Sequence, residues 1–309
     1  MKKTGIPSLD LGDFLKGDNK LKQQFVAKLG EAYAEIGFVS IKNHGISEKT
    51  IDDLYDKIKE FFALPINTKQ KYELAETGGQ RGYTSFGKEH AKDSSEGDLK
   101  EFWHFGQEVH NNEYPQNVYV SEIPDFLETG LNAYREFEMA GRNILKAIAI
   151  YLDLDENYFE EYVIGGNSIL RPIHYPPIKD TNTNAVRAGA HEDINLITLL
   201  VGASAEGLQV LSHQGEWIDV TAIEGHIIVN VGDMLQRLTN GVLRSTTHRV
   251  VNPEGSKAST SRYSVPFFLH PISTMPLNSI ESCVKDHKLF EDITAGDYLT
   301  ERLKEIGLM

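Results

Sequence analysis

Apolar residues recur every three to four positions in three segments of the chain, at 21–36, 51–62 and 126–152. Residues at that spacing share one face of a helix, so each segment is predicted to be an amphipathic helix packed against a core. We expect the first helix to end at Gly37 and the second at Pro65, because glycine and proline interrupt helices.

The pattern changes after Gly165, where short β-branched and aromatic runs alternate with Gly, Asn and Pro. Several short strands at regular spacing are typical of a sandwich, barrel or jelly roll. A short strand is also expected earlier, at Phe38–Ile41, and a last helix over 293–306. The strands predicted in the second half are Leu196–Val201, Leu208–Leu211, His226–Val231, Val242–Val251 and Tyr263–Leu269.

The segment Glu76–Gln116 has little periodicity and is rich in Gly, Ser, Asp, Asn and His. It contains Gly78-Gly79, Asp93-Ser94-Ser95 and Asn111-Asn112, which are typical of turns. Long stretches of this kind are commonly lids or binding loops. We therefore predict a long excursion or lid here.

Composition excludes several classes of function. The 309 residues carry a net charge of −14 and form no long basic cluster, which disfavours nucleic-acid binding. Cys283 is the single cysteine, so the chain can form neither an intramolecular disulfide nor an all-cysteine zinc site. The chain contains no run of about 18 uncharged apolar residues, so no membrane span is predicted. No apolar segment follows the lysines near Met1, as it would in a secretory signal peptide. We expect a cytoplasmic protein that binds no membrane.

His191 is the only one of the eleven histidines with an acidic residue two positions on, Asp193. On an extended chain, residues i and i+2 project to the same side, so both side chains can reach one cation. The best candidate for a third ligand is His248, near the start of another predicted strand. Two histidines and one carboxylate leave coordination positions open, as a non-haem Fe(II) oxygenase requires. A structural zinc site would instead be closed by a fourth protein ligand.

Arg262 and Ser264 begin another predicted strand and are the only Arg-x-Ser pair in the chain. The same period of two places both side chains on one face. A guanidinium binds a carboxylate through two parallel hydrogen bonds, and a hydroxyl can donate a third. The pair therefore suits the distal carboxylate of a dicarboxylic ligand whose other end lies on the metal.

Together, His191-x-Asp193, His248 and Arg262-x-Ser264 resemble the motifs of the Fe(II)- and 2-oxoglutarate-dependent dioxygenase superfamily, specifically its isopenicillin N synthase-like branch. The likeness covers nearly the whole chain. In the N-terminal region it rests on Ile6–Leu11, Gly37–Ile46, Phe61–Pro65 and Asp98–Glu101. In the second half it rests on Asn230–Met234, Asn240-Gly241 and His248–Val250.

The resemblance implies a mainly β fold with helices: a distorted jelly roll, or double-stranded β-helix, packed on N-terminal helices and followed by a C-terminal helix. It divides the chain into a mixed helical region at 1–120 and a catalytic core at 121–309, which we expect to form one compact unit. It also implies that Tyr175 donates a hydrogen bond to the cosubstrate carboxylate. Ile173 is a departure, because plant members often have a cosubstrate-binding Asn there. Glu192 is not counted as a ligand, since adjacent strand residues point to opposite faces.

A further set of residues is predicted to line the substrate pocket. Arg81, which precedes a Gly-Tyr pair, is a candidate to meet an anionic substrate. The other candidates are Tyr83, Phe102, Trp103, Asn230, Phe267 and Leu269.

The reaction implied by the resemblance is the oxidation, expected to be hydroxylation, of a C–H bond in a small molecule. Fe(II) is the implied cofactor, with 2-oxoglutarate and O2 as cosubstrates and succinate and CO2 as products. Three alternatives stay open. Isopenicillin N synthase and the plant ethylene-forming oxidase keep an Arg-x-Ser pair without consuming 2-oxoglutarate. A non-enzymatic jelly-roll binding module and a metal-dependent hydrolase are the others.

Overall fold

A computed structural model describes residues 5–77, 79–89, 97–108, 113–178, 186–201, 207–221, 223–253 and 258–305. The α-helices in these ranges are α1 (Leu11–Leu15), α2 (Asn19–Glu35), α3 (Glu48–Phe62), α4 (Ile66–Lys69), α5 (Phe126–Tyr151), α6 (Glu160–Val163), α7 (Asp233–Leu238) and α8 (Ala295–Glu305). The first seven strands are β1 (Ser8–Asp10), β2 (Phe38–Lys42), β3 (Gly82–Thr84), β4 (Glu101–Gly106), β5 (Ile169–Leu170), β6 (Ile173–Tyr175) and β7 (Ala188–His191). The others are β8 (Ile197–Val201), β9 (Leu208–Leu211), β10 (Trp217–Asp219), β11 (His226–Val231), β12 (His248–Val250), β13 (Arg262–Ser264) and β14 (Pro266–Leu269).

The predicted helices are confirmed, and local signals explain where they begin and end. The side chains of Asp18 and Ser47 cap α2 and α3 by accepting hydrogen bonds from backbone N–H groups of the first turn. After α2 the chain turns at Gly37, whose φ of 72° favours glycine. The last predicted helix appears as α8, and Ile306 at its expected end lies outside the described residues. No helix among the described residues has the length and apolar character needed to cross a membrane.

The strands form two sheets. The larger sheet has the order β1-β2-β11-β8-β14-β5-β4-β6-β13, with β3 paired to β4, and the smaller has the order β10-β9-β12-β7. Leu200 and Ile228 of the larger sheet pack against Leu208, Val210 and Val250 of the smaller one. The two sheets therefore face each other in a distorted jelly roll, as expected.

Alternation along the central strands gives the larger sheet two different faces. Leu199 on β8, Val229 on β11 and Phe267 on β14 belong to the main core, which they share with α2, α3 and α5. Their strand neighbours Leu200 and Ile228 lie on the opposite face, toward the smaller sheet. A side chain's position along these strands thus decides whether it packs on helices or faces the space between the sheets.

The prediction that Glu76–Gln116 is an irregular excursion is wrong for the part that the structure describes. Strands β3 and β4 lie within it and pair in antiparallel fashion. Every residue of β4 is buried, so the strand shows none of the polar alternation that would reveal it in the sequence. The turn motifs at Gly78, 93–95 and 111–112 lie outside the described residues.

Two predicted strands are shorter than expected. Of Val242–Val251 only β12 is a strand, because the preceding backbone is held by side chains, with the Thr239 hydroxyl accepting from Leu243 N–H and Gln236 accepting from Ser245 N–H. The run Tyr263–Leu269 is interrupted at Val265. It belongs to β13 at one edge of the larger sheet and to β14 near its centre.

Candidate active site

His191 and His248 meet because β7 and β12 are neighbouring antiparallel strands in which these two residues are paired. Asp193 lies two residues beyond the end of β7, and its Oδ1 is 3.8 Å from Nε2 of His191 and 3.7 Å from Nε2 of His248. One ligand atom from each residue lies within 4.8 Å of the others. No fourth His, Cys, Asp or Glu of the described ranges joins this cluster.

Backbone contacts fix how the two imidazoles point. Nδ1–H of His191 donates to the carbonyl of Gly189 at 2.7 Å, and Nδ1–H of His248 donates to the carbonyl of Thr246 at 3.1 Å. A carbonyl can only accept, so Nδ1 carries a proton, and in the neutral ring it is Nε2 that has the lone pair for a metal. Desolvation in the cavity, with His248 adding to it, lowers the pKa of His191 to about 4. His191 is therefore neutral at physiological pH, as a metal ligand must be.

Asp193 is held from the inner face of the larger sheet. Its Oδ2 accepts hydrogen bonds from the Thr198 hydroxyl at 2.6 Å and from the Asn230 amide at 2.8 Å. Burial raises the pKa of Asp193, but His248, His191 and these two hydrogen bonds outweigh burial and lower it below its usual value. The residue is thus an oriented carboxylate with Oδ1 directed at the two imidazoles.

This donor set fits Fe(II). Two imidazole nitrogens and one carboxylate oxygen come from one side, and the cluster contains no further protein ligand in the described part of the chain. That combination, with positions left for small ligands, is typical of non-haem Fe(II) oxygenases.

The predicted metal and cosubstrate residues line one cavity of about 450 Å³ between the sheets. Arg262 on β13 is paired across the sheet with Tyr175 on β6, and Ser264 is paired with Ile173. The Arg262 guanidinium carbon is 4.6 Å from the centre of the Tyr175 ring. A cation, a hydroxyl and a phenol therefore share the cavity with the three candidate metal ligands.

Of the predicted pocket residues, the structure places Asn230 in the cavity lining. Phe267 and Leu269 instead point into the main core, because they alternate with Phe268, which does line the cavity. Phe267 packs against Tyr134 on α5, with ring centroids 5.1 Å apart.

Tyr83, Phe102 and Trp103 are also absent from the cavity lining. Tyr83 and Trp103 belong to an aromatic cluster around Phe61 of α3, where their ring centroids lie 5.9 Å and 4.8 Å from that of Phe61. Phe102 packs with Ile173 and Tyr175 behind the cavity wall. Their aromatic character reflects packing within the fold.

Arg81 is 1% exposed and likewise lies outside the cavity lining. Its guanidinium donates to the side-chain oxygen of Gln107 at 2.6 Å and to the carbonyl of Gln80 at 2.6 Å. It packs on Gly106, where an added Cβ would lie 1.9 Å from the guanidinium carbon. Burial lowers the pKa of Arg81 to about 10. The contacts identify it as a packing residue.

Several cavity residues were not predicted. Thr198 is the one polar residue of the apolar run Leu196–Val201. A polar residue within a buried strand needs a hydrogen-bond partner, so this position could have been predicted to have a buried polar role. Four charged residues at one wall and four residues of α8 were not predicted either. They are Glu89, Asp98, Lys100, Arg171, Leu299, Arg302, Leu303 and Glu305. Asp98 and Lys100 lie in the segment Asp98–Glu101 that carries part of the family resemblance, whereas the others have no comparable sequence signal.

Glu192, which sequence reasoning set aside as a ligand, is exposed at the cavity and stands outside the cluster of candidate metal ligands. Its carboxylate accepts a hydrogen bond of 2.8 Å from the Thr247 hydroxyl.

Comparison with protein families gives two matches. The model of the non-haem dioxygenase in morphine synthesis N-terminal region matches residues 6–125. The model of the 2OG-Fe(II) oxygenase superfamily matches residues 166–271, which include all three candidate metal ligands, Arg262 and Ser264.

Relatives match over nearly the full chain. A 2-oxoglutarate-Fe(II) type oxidoreductase from Emericella nidulans is 30% identical, covering 99% of this chain and 91% of that protein. A proline hydroxylase from Petromyces alliaceus is 33% identical, covering 96% of this chain and 98% of that protein. Among solved structures, a 2OG-Fe(II) oxygenase family protein from Caulobacter crescentus is 40% identical with a TM-score of 0.88, covering 98% and 99%. A full-length Neurospora crassa protein, solved in complex with alpha-KG and thymine, is 30% identical with a TM-score of 0.88, covering 98% of each chain.

Proposed function

The chain belongs to the 2OG-Fe(II) oxygenase superfamily, and from that premise we propose that His191, Asp193 and His248 hold its iron. It is an oxidoreductase that uses Fe(II) and 2-oxoglutarate. The observation that carries the assignment is the position of Asp193 Oδ1, 3.8 Å and 3.7 Å from two imidazole nitrogens whose partner nitrogens are already hydrogen-bonded.

Arg262 and Ser264 bind the distal carboxylate of 2-oxoglutarate in this proposal, and Tyr175 assists them. The support is their shared position in the cavity lining and the pairing of β13 with β6, which sets Arg262 beside Tyr175. A guanidinium and a hydroxyl on one strand face match a carboxylate with up to three hydrogen bonds.

The substrate is a small molecule bound in the same cavity, and the proposed outcome is hydroxylation of a C–H bond. When bound, Fe(II) with 2-oxoglutarate and O2 supplies the oxidation, and the cosubstrate is converted to succinate and CO2. The residues of the chain supply orientation. Thr198 and Asn230 fix the Asp193 carboxylate, while Leu200 and Ile228 give the cavity apolar walls that exclude water.

We also assign the chain to the isopenicillin N synthase-like branch. The support is its N-terminal region, where the match over residues 6–125 accompanies the pairing of β1 and β2 with the edge of the larger sheet. The alternatives of a binding module and of a hydrolase have no observation in their favour, since the matched relatives are oxidoreductases and hydroxylases.

The test combines a spectrum with a product assay. Under anaerobic conditions, the purified chain with Fe(II) and 2-oxoglutarate should show a weak visible charge-transfer band, and in air it should release succinate. Asp193→Ala should lose both signals, because it removes the one carboxylate ligand. His287→Ala, which alters an exposed histidine outside the cavity, is the matched control and should keep both. A band that persists in Asp193→Ala contradicts the assignment of the ligands.

A further inference from the structure

One wall of the cavity carries four charged side chains that the proposed iron and cosubstrate sites do not use: Glu89, Asp98, Lys100 and Arg171. We name this set the polar wall. Its members form a chain of alternating charge. Lys100 Nζ lies 2.8 Å from Asp98 and 2.6 Å from Glu89, and Arg171 Nη1 lies 3.2 Å from Glu89.

Arg171 is fixed at the end of this chain. Its Nε donates to Nε2 of His104 at 2.6 Å, and its guanidinium carbon lies 4.5 Å from the centre of the Phe102 ring and 5.0 Å from that of Phe268. Its Nη1 bonds to Glu89, whereas Nη2 has no hydrogen-bond partner in the described ranges. Arg171 therefore offers a ligand two N–H groups whose position is set before binding.

The charges of the polar wall balance one another, with two cations and two carboxylates. Glu89, Asp98 and Lys100 are each less than a tenth exposed, so solvent screens them little. Burial alone would raise the pKa of Glu89, but Arg171 and Lys100 hold it well below its usual range, and Glu89 is ionised at neutral pH. A ligand carboxylate placed here would add a negative charge that no unbalanced cation of the wall compensates.

We propose that the substrate is a neutral molecule with a carbonyl group that accepts a hydrogen bond from Arg171. This rests on the proposed function in one respect, that the substrate occupies this cavity. A neutral carbonyl oxygen satisfies the Arg171 N–H groups without disturbing the charge balance of the wall. The polar wall is thus the part of the site that selects uncharged substrates over acids of the same shape.

The test is a calorimetric titration of the full chain loaded with Mn²⁺ and 2-oxoglutarate, so that binding is read without turnover. Two matched pairs serve as probes: thymine with uracil-5-carboxylate, and benzamide with benzoate. At least one neutral probe should bind at least tenfold more tightly than its acid. Equal or tighter binding of the acids, or no binding by either neutral probe, overturns the proposal.

Glu89→Gln removes one negative charge with almost no change in shape. In each pair of probes, it should shift the ratio of the two dissociation constants at least tenfold in favour of the acid. Glu73→Gln, whose carboxylate pairs with Lys88 outside the cavity, is the matched control and should leave the preference unchanged. Should Glu89→Gln fail to fold, the test uses Asp98→Asn instead, because that variant removes a negative charge from the same wall. An unchanged preference in the folded variant contradicts the charge-balance argument.

This experiment distinguishes a failure of the proposed function from a failure of the proposed role of the polar wall. The affinity for 2-oxoglutarate, measured first without a ring probe, reports on the proposed cosubstrate site and should be the same in Glu89→Gln as in the unaltered chain. Failure of 2-oxoglutarate to bind would count against the proposed function, whereas normal 2-oxoglutarate binding with no discrimination between the probes would count against the polar wall alone.

Discussion

Thr198 and Asn230 are cross-strand partners on β8 and β11, and both donate hydrogen bonds to the same oxygen, Oδ2 of Asp193. The carboxylate is consequently anchored through one oxygen and presents the other to the two histidines. Pairing of two strands in the larger sheet thus orients a residue that follows a strand of the smaller sheet.

Thr198→Val should weaken metal binding, because it removes one of the two hydrogen bonds that hold Asp193 while keeping the shape of the side chain. Loss of a contact that orients a ligand typically costs about 10- to 100-fold in metal affinity. Competition titration of Fe(II) or Mn²⁺ against a chelator measures this. Thr198→Ser keeps the hydroxyl and should bind metal normally, and a Val variant as tight as the Ser variant would refute the role of the hydrogen bond.

Arg262→Gln should raise the dissociation constant for 2-oxoglutarate at least about tenfold while leaving metal affinity unchanged. The reason is that hydrogen bonds to charged groups contribute about 1.5–3 kcal/mol. The matched control is Arg249→Gln on β12, since Arg249 stacks on Trp217 at 3.9 Å and lies outside the cavity lining. Titration of 2-oxoglutarate into the Mn²⁺-loaded Arg262→Gln and Arg249→Gln variants measures the two dissociation constants. If both variants bind 2-oxoglutarate equally well, Arg262 is not the anchor.

Much of this site could be predicted from a spacing of two residues along the chain. His191 and Asp193 are two residues apart, as are Arg262 and Ser264, and an extended chain places such pairs on one side whatever the rest of the fold does. The amphipathic helices were predictable for the same local reason, since the period of apolar residues survives in any environment.

The polar wall was not predictable in this way. Lys100 and Arg171 meet through Glu89. Glu89 and Lys100 belong to one segment of the chain, but Arg171 comes from a distant part that only the tertiary fold brings to them. Strand β4 was missed because it is buried on both faces and lacks alternation. Strands β5 and β6, of two and three residues, depend on their partners in the sheet and carry too short a pattern to read.

Asp233 makes the stability of the fold depend on pH. Burial, with repulsion from Glu192, raises the pKa of Asp233 to about 7. Between the ordinary aspartate pKa of about 3.9 and this raised value, the folded state holds a proton that the unfolded state releases. The contribution of Asp233 to the free energy of unfolding is therefore full below about pH 4, falls as the pH rises, and is lost above about pH 7.

Asp233→Asn should remove that dependence, since an amide cannot ionise and its oxygen can still accept from the Tyr298 hydroxyl. Thermal unfolding should show the Asn variant gaining stability relative to the unaltered chain between pH 5 and pH 8. Asp52→Asn, on the exposed surface of α3, is the control and should show no such change. A constant difference in melting temperature across this range would contradict the raised pKa.

Phe267 and Phe268 are adjacent on β14 but should respond oppositely to truncation, because the strand directs them to opposite faces of the larger sheet. Phe267 is fully buried against α5, and Phe267→Ala should lower the free energy of unfolding by about 3–5 kcal/mol. Phe268 lines the cavity beside Arg171, so Phe268→Ala should cost less stability and instead weaken binding of the neutral ring probes. Denaturant unfolding and probe titration of the two variants form a matched pair. Equal losses of stability would mean that β14 does not separate the core from the site.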